Sequence, residues 1–476
     1  MLNSKLYAIL QNFETTEQKR CRKFISSPYF NSHELLVKLY DLLIKHIRSG
    51  RQKELNREEL WTALYGNARP FDDTLMRKYL SNLHKLVERY LKEQIYEKAS
   101  LLQEAHLIEA LAEHKLNKAV QMTLRRARKN GKNGKEESPQ KDLFRYLIHK
   151  SYYHAVEHIP KEAAKVDFGQ MSSYLDAFYI EEKLNIYCAI LSRKYLGTDE
   201  SQIYLLEGIT RHLQEHINQY EAFPIVQIYY QIYLALTESE NTQHYYHLKN
   251  LLEKNHAKLP QNKAFELYGY AINYCVRKIN QGDSSFLREY FELHKVLLDK
   301  GLLFADGVLP LAQYRNLVLV GLRLGELEWT EDFIHHYKKY LPVNSRENAF
   351  SFNLALLYFY KKEYEQVIKL LRYVEYEDIT FNLNAKVLLL QTYYEMDEID
   401  PLESLMDSFR AYLQRHKEIA PRRRQTFRNF IRFVKKLTRI IPRNKEQIEA
   451  FKNELAQTKQ IVNRPWLLEK AEELRR

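Results

Sequence analysis

The 476-residue chain is poor in the residues that punctuate β structure. Glycine occurs 13 times and proline 12 times, together about 5% of the chain where roughly 12% is usual. A β-sandwich or barrel needs far more turn residues than this, and collagen-like or low-complexity classes are excluded with them. Cysteine is scarcer still. Cys21, Cys188 and Cys275 lie at least 87 positions apart and make no metal-binding or redox motif. No apolar run approaches the roughly 18 residues of a membrane span. Only Leu6 to Leu10 separate Lys5 from polar residues, which is too short for a signal-peptide core, so a reducing, cytoplasmic setting is expected. No GxxxxGK[ST], GxSxG or CxxC occurs, and Gly131 and Gly134 are wrongly spaced for a phosphate loop. No enzymatic activity, catalytic residue or cofactor is therefore expected.

What the chain does have is a hydrophobic content of 45%, enough to bury cores. Its net charge of +12 is concentrated. Residues 415–445 hold twelve Lys/Arg against one acid, Glu418, and residues 125–141 hold seven against Glu136 and Glu137. The remainder is slightly acidic. Two local patches suggest sites, whereas a uniformly basic surface would not.

The apolar spacing reads as helix after helix, and from about residue 173 the helices come in pairs. First members are expected to begin near Ser173, Ala222, Gln261, Leu309, Arg346 and Thr380. An internal repeat of 35 residues relates Leu354-Ala355, Tyr358, Tyr364, Val367 and Leu371 to Leu389-Leu390, Tyr393, Ile399, Leu402 and Met406. Thirty-five residues earlier the series continues with Leu319-Val320, Arg323 and Trp329, then fails at Asp332. Such pairs bury a shared face only by stacking on their neighbours.

On these residues the chain resembles the tetratricopeptide-repeat family, over 345–412, partly over 309–342, and over 173–300 in helix-pair rhythm. It departs from that pattern in having Val367 and Leu402 where helix B usually opens on a small residue, and in lacking the closing proline. The resemblance implies an all-α fold: a right-handed α-solenoid of helix-turn-helix repeats with an N-terminal helical region and a C-terminal basic capping helix. It also implies a protein-binding scaffold without chemistry. The expected organisation is an N-terminal helical region (1–128), a flexible polar loop (129–141), the repeats (142–420), and basic and capping helices (421–476).

Two helices carry candidate binding residues. Between Pro421 and Pro442, Phe427, Phe430, Ile431, Val434, Leu437 and Ile441 share one helical face. Arg424, Arg428, Arg432, Lys435, Lys436 and Arg439 occupy the opposite face, within an arc of about 120°. Six cations without an interleaved acid suit an acidic protein partner, a nucleic-acid backbone or an anionic lipid surface; a solvated cap of the repeats would explain the same pattern. The second helix opens at Asp72 or Asp73, after a shorter one capped by Asn56 and burying Trp61 and Leu64. Its inward residues are Leu75, Tyr79, Leu83, Leu86 and Tyr90, and its free face shows Lys78, Asn82, Lys85 and Arg89. This arrangement resembles the DNA-binding part of bacterial regulators that join a winged helix to helical repeats. No Gly-bounded strand pair follows to form the wing.

His154/Glu157/His158 and His212/Glu215/His216 match the His-x-x-Glu-His spacing of inverted zinc peptidases, which also need a third ligand on a mixed α/β fold. In a Glu-rich helical chain such pairs arise readily, and no metal is expected. The 36 tyrosines, several in doublets such as Tyr229-Tyr230 and Tyr245-Tyr246, suit helix–helix packing with a wet hydroxyl at the rim. The leading expectation is a scaffold for a protein partner, with an acidic one favoured by the basic helix. A nucleic-acid-associated regulator is the alternative, and peripheral membrane attachment is a third reading. No motif specifies the oligomeric state.

Overall fold

A computed structural model describes residues 4–49, 55–66, 68–132, 140–157, 165–194, 204–371 and 379–475. Among these residues the protein is all-helical, with a single isolated bridge between Ala305 and Val308. The chain forms two compact units, one of residues 1–237 with 254–260 and the other of 238–253 with 261–476.

The first unit begins with α1 (Lys5–Gln11), α2 (Thr15–Ile25), α3 (Glu34–Arg48), α4 (Arg57–Tyr65) and α5 (Asp73–Lys98). Helix starts follow the expected chemistry: Asn56 Oδ1 accepts from the Glu59 amide at 2.7 Å, and Asp72 Oδ1 from the Leu75 amide at 2.9 Å. On α5 the fully buried positions are Met76, Leu83, Val87 and Tyr90, with Leu75, Tyr79 and Leu86 half-buried. They pack over Cys21 and Tyr40, whose hydroxyl donates to the Gln18 carbonyl at 2.8 Å. The unit continues with α6 (Ser100–Glu113), α7 (Asn117–Lys132), α8 (Lys141–Val156), α9 (Phe168–Lys194), α10 (Leu206–His216) and α11 (Pro224–Thr237). Helices α6, α7 and α8 share a core of Leu101, Ile108, Leu124, Ile148 and Tyr152, and α9 packs on α8 and α11. The polar stretch 129–141 is not loop throughout: residues to Lys132 close α7 and Lys141 opens α8, while 133–139 lie outside the described residues.

The second unit contains α12 (Gln243–Asn255, of which 243–253 belong here), α13 (Gln261–Asn280), α14 (Phe286–Asp299), α15 (Leu311–Arg323) and α16 (Leu327–Tyr337). It continues with α17 (Arg346–Tyr360), α18 (Tyr364–Leu371), α19 (Ile379–Glu395) and α20 (Ile399–Arg415). It closes with α21 (Pro421–Leu437), α22 (Lys445–Gln457) and α23 (Arg464–Glu473). Helix α15 packs on α16 and α17; α17 also meets α16, α18 and α19; α19 meets α18 and α20.

Three helix ends show what sets this spacing. After α15, Gly325 has φ +76°, its amide donates to Leu322 O, and the Glu326 amide donates to Gly321 O at 2.9 Å. After α17, Lys362 (φ +61°) and Glu363 bond Phe359 O and Tyr358 O in the same way. After α19, Asp397 (φ +59°) and Glu398 bond Tyr394 O and Tyr393 O. This double hydrogen bond around a left-handed residue satisfies carbonyls that the helix end would leave open. It also aligns Gly325, Lys362 and Asp397, whose separations are 37 and 35 residues.

The sequence repeat is thereby corrected. The first repeat sits two residues from its expected register, so Leu317 and Val318, both buried, occupy the place assigned to Leu319-Val320. Trp329 gives way to Leu327 as the first residue of the second helix, and Thr330 and Ile334 replace Asp332 and its successor as the buried pair. The extra two residues fall before α17. Thr330, Val367 and Leu402 are each the fourth residue of their helices, α16, α18 and α20, and all three are buried.

Lys362 bears a Cβ in a backbone conformation that disfavours one by about 1–2 kcal/mol. Lys362→Gly should stabilise the protein by roughly 0.5–1 kcal/mol after the entropy of the more flexible unfolded glycine is deducted. A rise in the urea midpoint without a change in slope checks this; a fall would contradict it.

Candidate basic interface on α21

Helix α21 begins with Pro421 in its first turn, where the missing amide costs nothing. It ends at Leu437, well short of Pro442, with the Thr438 amide bonded to Val434 O at 3.2 Å. Arg439 and Ile441 therefore lie beyond the helix, and Ile441 is 60% exposed and not part of the buried face. Phe433, not assigned inward by the helical wheel, is fully buried and meets Phe451 edge-on at 5.4 Å. Phe427, Phe430, Ile431, Val434 and Leu437 are buried as expected, against α20, α22 and α23 residues that include Phe409, Phe451 and Leu467.

The six candidate cations divide into two sets. Arg424 turns back on its own helix start, its Nη2 donating to Lys417 O at 3.1 Å and Ile419 O at 3.0 Å. Glu454 of α22 takes Arg432 at 3.6 Å and also pairs with Lys436. The guanidinium of Arg432 further lies over the Phe433 ring at 5.0 Å. These three cations stabilise the joint between α21 and its neighbours. Arg428 and Arg439 are exposed and Lys435 is half-buried, and none of them forms an ion pair among the described residues. Arg422 and Arg423, one turn earlier, are exposed in the same way.

Arg315 of α15, which the sequence reading passes over, adds to this surface. Its Nε is buried with no hydrogen-bond partner among the described residues, and burial and the neighbouring Arg423 charge hold its guanidinium below the ordinary pKa. A half-buried cation facing another cation favours an anion between them. No local sequence signal marks Arg315, because its neighbour is 108 positions away.

The other candidates separate. On α5, Lys78 and Lys85 are exposed and Asn82 is half-buried. Arg89 covers the Phe30 ring at 4.6 Å and stands 4.0 Å from Glu93. No strand follows α5 among the described residues; α6 begins two residues after it. His212 Nε2 bonds the Tyr220 hydroxyl at 3.1 Å, and His216 lies 3.7 Å from Glu215. His154 and Glu157 sit at the end of α8, and His158 lies outside the described residues. No group of three or more His, Cys, Asp or Glu side chains among the described residues could hold a metal ion. All three cysteines are buried and unpaired, and burial pushes the thiols of Cys21 and Cys275 up to about 12, away from nucleophilic thiolate. Among the described residues no helix is long and apolar enough to cross a membrane.

Comparison with protein families, with curated proteins and with solved structures finds no match to this chain.

Proposed function

We propose that the protein is a non-catalytic helical-repeat scaffold that binds an acidic segment of a protein partner across the unpaired cations of α21 and the residues just after it. The observation that supports this most is the group Arg422, Arg423, Arg428, Lys435 and Arg439, which has no carboxylate partner among the described residues, while Arg432 and Lys436 share Glu454. Arg315, half-buried beside Arg423, extends the same positive surface onto α15. The stacking of first helices α15, α17 and α19 supports the tetratricopeptide-like solenoid reading, in which rigid helix pairs present a fixed surface. A surface of this charge recruits an acidic chain at long range and fixes its register at close range. Three buried, unpaired thiols suit a reducing compartment such as the cytoplasm.

The test is a titration of a labelled peptide of alternating Glu and Asp residues with wild-type protein and with the Arg423→Glu/Arg428→Glu variant. Both positions are exposed, so the fold is retained. The wild type should bind, with affinity falling as salt rises, and the variant should bind at least about tenfold more weakly. Equal affinities would remove α21 from the account.

A further inference from the structure

Helix α9 of the first unit buries one face and leaves the opposite one apolar. Ala177, Ile180, Leu184 and Cys188 are buried on the first face, and the Cys188 thiol lies 3.9 Å from Tyr229 O of α11. Phe168, Leu175, Tyr179 and Ile186 are between 38% and 54% exposed. At 100° per residue these four fall within about 20° of one line, opposite the buried set. Phe168 meets Tyr153 of α8 edge-on at 5.4 Å, yet remains more than half exposed. Single exposed apolar residues are ordinary, but four aligned along about 27 Å of helix form a seam that calls for a cover.

The seam is symmetric in kind about Ala177. Phe168 and Ile186 stand nine positions either side of it, Ser172 and Glu182 five, and Leu175 and Tyr179 two. A second α9 running antiparallel, related by a two-fold axis level with Ala177, therefore sets Phe168 against Ile186 and Leu175 against Tyr179. The polar positions Ser172 and Glu182 meet each other and not an apolar residue. An isologous contact requires this self-complementarity, whereas a foreign helix has no use for it.

Two charges beside the seam complete the match. Asp176 and Lys183 lie on the same flank, at about 80° and 60° from the line through Phe168. Asp176 accepts from Ser172 Oγ at 3.3 Å and Lys183 lies over the Tyr179 ring at 5.6 Å; neither forms an ion pair among the described residues. The two-fold axis brings like flank to like flank, with Asp176 of one copy about 7.5 Å along the helix from Lys183 of the other. Helix side chains lean toward their own N-terminus, so in antiparallel helices these two lean toward each other. We infer that α9 is a homodimer interface, pairing antiparallel with α9 of a second copy of this chain through this seam and two Asp176–Lys183 ion pairs. A helix that lies on lipid carries cations beside its apolar face, where this one carries Asp176 and Glu182. A seam of this length is at the small end of specific interfaces, so dimerisation is expected in the micromolar range. The pairing is independent of the acidic-partner reading of α21.

Sedimentation equilibrium of the full chain from about 1 to 200 μM tests it. The mass should rise from monomer to dimer across that range. Leu175→Glu, at an exposed position, should weaken the dimer at least about tenfold by placing two carboxylates in the seam. Asp176→Lys opposes like charges and should weaken it roughly tenfold. Asp176→Lys/Lys183→Asp re-forms both pairs with their signs exchanged and should restore the affinity to within about threefold of wild type. Arg428→Gln on α21 should change nothing, and a wild-type urea midpoint shows that each variant folds. A protein that stays monomeric at the highest concentration would overturn the assignment and leave the seam to a helix of another protein. A dimer that Leu175→Glu leaves intact, or a charge exchange that fails to recover the Asp176→Lys loss, would overturn it as well.

Discussion

Replacing Glu395 with alanine is expected to cost the second unit about 3 kcal/mol of unfolding free energy. Glu395 ends α19 and receives two donors from α23: the Trp466 indole N–H at 2.7 Å and the Lys470 ammonium at 2.8 Å. The side chains of Lys470 and Glu395 are 10% and 14% exposed, so water screens the pair little. Burial works against the ammonium, but hydrogen bonds with Glu395 and Glu473 outweigh it and leave the Lys470 pKa raised. Truncation strands a buried indole N–H and leaves Lys470 with Glu473 alone, a carboxylate that is half-exposed. That remaining partner places the loss near the low end for a broken buried pair. Glu395→Gln keeps an acceptor for Trp466 and should lose roughly half as much. Urea denaturation followed by tryptophan fluorescence reads both; a loss under about 1 kcal/mol for Glu395→Ala would show that α23 is not fastened here.

The second large effect is steric. Gly321 of α15 faces Thr330 of α16 so closely that a Cβ built on it would lie 2.3 Å from Thr330 Oγ1. Thr330 is fully buried and its hydroxyl bonds Glu326 O at 2.6 Å, so it yields only by losing that bond or by parting the helices. Gly321→Ala should therefore destabilise by about 2 kcal/mol despite its better helix propensity. Thr330→Ala in the same chain removes the clashing oxygen, and the double variant should recover more than 1 kcal/mol of that loss. Additive effects in the double-mutant cycle would contradict the close approach.

The same contact explains part of what the sequence could and could not disclose. Helix identity was legible for most of the described residues, since 3.6-residue periodicity and caps such as Asn56 and Asp72 are local signals. The 35-residue spacing read in the sequence matches the helix ends after α17 and α19, whereas the helix end after α15 lies 37 residues before that of α17, which a fixed-period comparison misses. A helical wheel found most of the buried face of α21. It missed Phe433, which is enclosed by α22, and it included Ile441, which lies past the helix end. It placed six cations on one face but could not tell that three are engaged, because Glu454 and the carbonyls of Lys417 and Ile419 lie outside the helix it examines. Arg315 and its neighbour Arg423 come from separate helices and leave no trace in a local pattern.

The measurement that bears most directly on the scaffold account compares the labelled acidic peptide with a DNA duplex of equal charge, both titrated with wild-type protein and with the Arg423→Glu/Arg428→Glu variant from 50 to 300 mM salt, a range of roughly sixfold in ionic strength over which phosphate contacts are lost steeply. The account predicts that the peptide binds more tightly than the duplex throughout, and that the variant loses the peptide. Tighter binding of the duplex, with a steep salt dependence that the variant flattens, would contradict it and make α21 a nucleic-acid surface.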